Sequence, residues 1–175
     1  PQSTFKVKEI KSTKTLRKAP PPFVTSTIQQ EASVKLGMSP KATMAAAQKL
    51  YENGLITYMR TDSVNLSEDA LKMIQDKVTN DFGEEYFESK KFKTKSKGSQ
   101  EAHEAIRPCD VNMKSTVGKD GLGSNENRLY NLIWKRTLAC QMAPAQVKIV
   151  TVKIEMEGTT YIFVCKGETI LFPGY

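Results

Sequence analysis

The sequence predicts an α+β chain, helical through its middle and β-structured at both ends. Three observations lead there. Between Thr25 and Gln141, apolar residues recur at helical spacing behind capping residues. From Val147 onward the apolar period shortens to two. Near the start, Phe5-Lys6-Val7 is strand-like, and Pro20-Pro21-Pro22 is a stiff connector that no helix can cross.

Taken in order, residues 1–22 hold the short strand-like run, a Lys/Thr-rich stretch and the proline connector. A first helix follows, with Thr25 or Ser26 as its cap, Ile28, Ala32 and Leu36 on one face, and Gly37 as its stop. Ser39 caps a second helix whose first turn holds Pro40, where a missing N–H costs nothing. That helix ends near Gly54, and its alanines permit close packing. The pair resembles a helix-turn-helix. Leu55-Ile56-Thr57-Tyr58 reads as a short strand or extended segment. Ser67-Glu68-Asp69 opens a third helix, with acids where the helix dipole favours them and Leu71, Ile74 and Val78 facing inward. Lys90–Lys97 is a basic, low-complexity stretch expected to be a mobile loop. A fourth helix spans about Glu126 to Gln141, with Leu129, Ile133, Thr137 and Cys140 on one side. Val150, Val152, Ile154 and Met156 then alternate with polar residues, turn at Glu157-Gly158, and return through Tyr161–Cys165 as a hairpin. The expected division is residues 1–22, 23–145 and 146–175.

Hydrophobic content of 39% and charged content of 26% suit a soluble globular protein. No apolar run approaches the roughly 20 residues of a membrane span, and Pro1–Lys18 has no signal-peptide pattern. A chain that starts at Pro1 rather than Met reads as a piece of a longer one. The net charge of +7 favours a polyanionic partner, nucleic acid first. Three widely spaced cysteines, Cys109, Cys140 and Cys165, form neither a disulfide framework nor a zinc pattern, which suits a cytosolic protein.

One cluster has clear mechanistic logic: Gly54-Leu-Ile-Thr-Tyr58-Met-Arg60-Thr61-Asp62-Ser63. A phenol ordinarily ionises near pH ~10, so at neutrality only about a thousandth is phenolate. A nearby cation or base has to lower that barrier. Arg60 lies two positions after Tyr58, and in extended chain those positions share a side. A guanidinium fork matches phosphate oxygens and remains charged throughout. Thr61 and Asp62 add groups that could position the arginine. On residues alone, the segment also reads as a packed tyrosine beside a solvated arginine.

A second cluster is Gln100-Glu-Ala-His103-Glu104-Ala-Ile-Arg107-Pro108. His103 is the single histidine of the chain, sits between two acids and could donate to a phosphate. It equally reads as a surface histidine on a turn ended by Pro108.

Together, Gly-Leu-Ile-Thr-Tyr-Met-Arg-Thr-Asp-Ser and Glu-Ala-His-Glu-Ala-Ile-Arg-Pro resemble, in order and separation, the signature stretches of type IA DNA topoisomerases. Pro22-Phe-Val-Thr-Ser-Thr-Ile-Gln-Gln30 and Arg128–Arg136 continuing to Met142 are similar to further stretches of that family. The resemblance covers residues 20–145 strongly and the remainder more weakly. Met59 after the tyrosine resembles the bacterial topoisomerase I branch; the topoisomerase III branch more often carries Pro, and reverse gyrase shares the domain.

The resemblance implies that Tyr58 is a nucleophile that takes a DNA 5′ phosphate, without ATP, to relax negative supercoils. It implies that Arg60 stabilises the scissile phosphate, and that His103, Thr61, Asp62 and Arg107 bind DNA or support the site. The implied fold is a mainly helical, winged-helix-like domain flanked by β segments of a gate or arch domain. The implied cofactor is Mg²⁺, held by an Asp-x-Asp motif that this sequence lacks, so its site is expected elsewhere in the parent enzyme. The implied partners are single-stranded DNA and the parent's remaining domains, with no membrane. The implied location is the bacterial cytoplasm, at the nucleoid. The fragment alone is expected to be inactive. The competing expectation is a non-catalytic helix-turn-helix module, with Lys41, Lys49 and Lys90–Lys97 on phosphates and Tyr58 in the core.

Overall fold

A computed structural model describes residues 4–92 and 103–175. Its elements are β1 (Phe5–Arg17), α1 (Thr25–Leu36), α2 (Pro40–Glu52), α3 (Glu68–Phe82), a short 3₁₀ turn (Glu84–Tyr86), α4 (Ser124–Cys140), β2 (Ala145–Met156) and β3 (Ile162–Phe172). They form two compact units, one from the chain ends (residues 4–18 and 144–175) and one from Ala19–Ala143. Most of the basic stretch expected as a loop, and Gln100–Ala102, lie outside the described residues.

The end unit is an antiparallel sheet in the order β1-β2-β3. β2 and β3 are the expected hairpin, turned through Gly158 at φ +76°. β1 is a correction: the strand does not stop after Val7 but continues through the Lys/Thr-rich stretch to Arg17. The reason is register. Lys11, Thr13 and Thr15 oppose Thr151, Ile149 and Val147, so β2 satisfies the backbone of a run with little apolar pattern. A bulge between Val7 and Glu9 keeps Phe5, Val7 and Ile10 on one face, with Val152, Ile154 and Phe163. The opposite face carries ion pairs, Lys153–Glu9 and Arg17–Glu168, each at 2.6 Å.

The middle unit packs α1, α2 and α4 around Phe23, Ile28, Leu50, Ile56, Leu129 and Ile133. A second cluster joins α3 to α4 through Ile74, Val78, Val111 and Leu138. Ser39 and Ser67 cap α2 and α3 as expected, each accepting from a backbone N–H three residues on. Gly37 ends α1 in the left-handed region at φ +67°, where a side chain would be strained. The cap of α1 departs from expectation. It is Val24, whose N–H donates to Thr27 Oγ1 at 3.0 Å. The Thr25 hydroxyl does not cap because it bonds the backbone of residues 59 and 61 instead.

Among the described residues, the extended segments of this unit pair only through isolated bridges, Phe23↔Ile106, Ile56↔Pro108 and Phe87↔Met142. Leu55–Tyr58 is thus irregular chain with a single bridge at Ile56 rather than a strand.

Candidate active site

α2 ends where Leu55 N–H reaches back to the Leu50 carbonyl at 2.9 Å, and Gly54 takes φ +68° to turn the chain. The next residues cross the segment 105–109. Thr57 N–H donates to the Arg107 carbonyl, and Cys109 N–H donates to the Leu55 carbonyl. Thr57 Oγ1 donates to the Ala105 carbonyl at 2.6 Å and accepts from Arg107 N–H at 2.9 Å. Two stretches nearly fifty residues apart in sequence are thereby fastened together.

Burial alternates through the turn. Tyr58 is 49% exposed, Met59 is 1% exposed, and Arg60 is exposed again. Met59 sits in the core with Ile56 and Ile106, so Tyr58 and Arg60 leave the backbone on the solvent side. The reading of Tyr58 as a core tyrosine is therefore excluded.

Tyr58 and Arg60 line a cleft of about 370 Å³ together with Tyr51, Thr57, Thr61, His103 and Glu104. A neighbouring groove of about 510 Å³ is lined by Thr25, Ser26, Gln29 and Asp62, and shares Arg60, Thr61 and His103 with the first. Of the residues singled out in the sequence, Tyr58, Arg60, Thr61, Asp62 and His103 thus border one continuous region.

Arg107 lines neither recess. Its Nη2 and Nε donate to both oxygens of Glu104, at 2.7 and 3.2 Å, and its Nη1 donates to the Pro108 carbonyl at 3.0 Å. Glu104 Oε1 also accepts the Ser67 N–H at 2.7 Å, which ties the site to the start of α3. Burial pushes the Glu104 carboxyl up, but the Arg107 and Ser67 donors outweigh it and hold the group below the usual carboxylate range.

Sequence reading missed Tyr51. Its ring meets Tyr58 edge-on, with centroids 5.2 Å apart. The available signal was an aromatic in the last turn of α2, seven residues before the nucleophile candidate, where an exposed ring is unusual unless something stacks on it.

The arrangement can place an exposed phenol, a guanidinium and an imidazole around one anionic group. Among the described residues, no three His, Cys, Asp or Glu side chains gather closely enough to hold a metal ion.

Comparison with known proteins shows the family. The family model described as DNA topoisomerase matches residues 1–175. DNA topoisomerase 1 of Synechocystis is 51% identical over 91% of this chain and 18% of its own length. DNA topoisomerase 1 of Rickettsia bellii is 44% identical over 98% of this chain and 23% of its own. Among solved structures, full-length topoisomerase I from Thermotoga maritima superposes with a TM-score of 0.83 at 39% identity, covering 97% of this chain and 28% of that one. The chain thus spans about a fifth of the curated relatives it matches.

Proposed function

The chain belongs to the DNA topoisomerase family, and from that premise we propose that it is the nucleophile-bearing segment of a type IA enzyme. In this reading Tyr58 Oη attacks a phosphorus of single-stranded DNA. The Oη–P bond forms and the P–O3′ bond breaks, leaving a 5′-phosphotyrosine and a free 3′ hydroxyl. The phenol gives up its proton, and the departing 3′ oxygen takes one up. One ester replaces another, so religation is the same step reversed and needs no ATP. Strand passage between the two steps relaxes negative supercoils.

The observation that supports this most directly is the pairing of an exposed Tyr58 with Arg60 and His103 on one cleft, while Met59 anchors the turn in the core. Arg60 is placed to neutralise the non-bridging oxygens, whose charge grows in the transition state. His103, when protonated, is a second donor to the same phosphate or its neighbour. Thr61 and Asp62 shape the groove beside it. Arg107 supports the site through Glu104 rather than by touching DNA.

Mg²⁺ would supply electrostatic stabilisation from parts of the longer enzyme outside this segment, since this sequence carries no Asp-x-Asp motif. We accordingly expect the 175-residue chain by itself neither to cleave nor to relax DNA. Its proposed setting is the bacterial cytoplasm, at the nucleoid. No helix among the described residues is long and apolar enough to cross a membrane.

The test is Tyr58→Phe in the full-length enzyme carrying this segment. The variant is expected to bind single-stranded DNA while yielding no covalent adduct after denaturant quench. An adduct formed with phenylalanine at position 58 would sink the proposal. Retained binding with no adduct in the wild type either would favour the non-catalytic module.

A further inference from the structure

Thr25 is the first residue of α1, yet its side chain serves neither that helix nor any of the roles assigned above. Its Oγ1 donates to the Met59 carbonyl at 2.8 Å, with the Thr61 carbonyl at 3.1 Å as a second acceptor. The same oxygen accepts the Thr61 N–H at 2.9 Å. Its own N–H donates to the Thr61 carbonyl at 3.0 Å. Every one of these bonds ends on a residue immediately before or after Arg60. The two peptides that bracket Arg60 are therefore registered to the end of a helix packed in the core.

Resting on the proposed role of Tyr58 and Arg60, we infer that Thr25 is the positioning residue that aims Arg60 at the scissile phosphate. The chemistry suits threonine. A β-branched side chain has few χ1 states, so its hydroxyl is held in place before DNA arrives. One hydroxyl can donate and accept at once, which lets it grip a carbonyl and an N–H of the same turn. Arg60 carries a long side chain on an otherwise irregular stretch, where small backbone drifts displace the guanidinium by far more than they displace the turn. Preorganisation of this kind acts on rate, because the interaction has to be in place as charge develops. Thr57 fastens the other side of the turn to residues 105–107, so the two threonines fix opposite flanks of the Tyr58–Arg60 pair.

The test is a double-mutant cycle in the full-length enzyme. Thr25→Val keeps the shape and the backbone N–H but removes the hydroxyl. It is expected to slow strand cleavage at saturating DNA by about tenfold or more, with DNA affinity changed less than about twofold. Thr25→Ser is expected to restore most of the rate. In an Arg60→Ala background, Thr25→Val is expected to cost almost nothing further, since the group it aims is gone. Unchanged cleavage in Thr25→Val overturns the inference. So does an equal loss in both backgrounds, or a serine variant as slow as the valine one. Thr25→Ala serves as a second variant; if neither it nor Thr25→Val folds, the hydroxyl holds the unit together and the aiming role is refuted. Tyr58→Phe in parallel separates the two levels. An adduct in that variant refutes the nucleophile assignment, whereas no adduct there with a neutral Thr25→Val refutes only the role of Thr25.

Discussion

Tyr51 meets Tyr58 ring-edge to ring-face, with planes inclined by 64° and centroids 5.2 Å apart. Tyr51 stands on the last turn of α2, a fixed element, and Tyr58 stands on the turn that follows it. The contact limits the sweep of a side chain whose residue stays 49% exposed. Such a pair is worth about 0.5–1.5 kcal/mol beyond its buried area. Tyr51→Ala is therefore expected to slow adduct formation in the full-length enzyme by about three- to tenfold. Tyr51→Phe should leave it nearly unchanged, because the ring and not the hydroxyl makes the contact. Rapid-quench cleavage of a single-stranded oligonucleotide measures both.

Replacing Arg60 by lysine keeps the charge and loses the fork. An ammonium cannot hold two phosphate oxygens in one plane. Arg60→Lys is expected to lower the cleavage rate by about tenfold or more while DNA affinity drops far less. Equal losses in rate and affinity would show instead that Arg60 serves ground-state binding alone.

Met59 is the anchor between two exposed neighbours, packed beside Ile56 and Ile106. Met59→Ala should destabilise the helical unit by about 2–4 kcal/mol, the usual range for emptying such a core position. Chemical denaturation of the 175-residue chain, followed by far-UV circular dichroism, tests this. A loss under about 1 kcal/mol would mean that Met59 is not what holds the turn down.

Glu104 links acid stability to the site. Its carboxyl is held below its ordinary value of 4.5 by Arg107 and Ser67 despite burial. A depressed carboxylate stabilises the fold fully above the unfolded pKa, and that contribution is lost as pH falls through the folded one. The window thus opens as pH drops past about 4.5 and closes below the folded pKa. Glu104→Gln should cost about 1–2 kcal/mol at neutral pH and flatten the dependence of stability on pH in that acid range. Denaturation midpoints at neutral pH and at successively lower values give the slope, and an unchanged slope would rule out the linkage.

Much of this was legible in the chain itself. Local chemistry specifies α2 and α3, since Ser39 and Ser67 accept from nearby N–H groups and need no tertiary partner. The β2–β3 hairpin follows from a period of two and a turn glycine. The exposed–buried–exposed order of Tyr58, Met59 and Arg60 matches the alternation expected from the sequence, although residues 59 and 60 lie in a bend. Other features were not legible, because their cause lies far away in sequence. Phe5–Val7 became a thirteen-residue strand because β2 pairs with all of it. Thr25 looked like a cap because threonine often is one, and only the fold brings residues 59–61 to its hydroxyl.

The sequence by itself determined which residues to propose for the chemistry, because a phenol and a guanidinium two positions apart stand in one short stretch that resembles a family signature. Only the tertiary structure decided what surrounds them. His103, Glu104 and Thr25 reach Tyr58 and Arg60 through hydrogen bonds that span between 34 and 50 residues, or through the cleft those bonds create. Tyr51 joins by the way α2 turns into the site. Such contacts depend on chain closure and core packing, which no local pattern encodes.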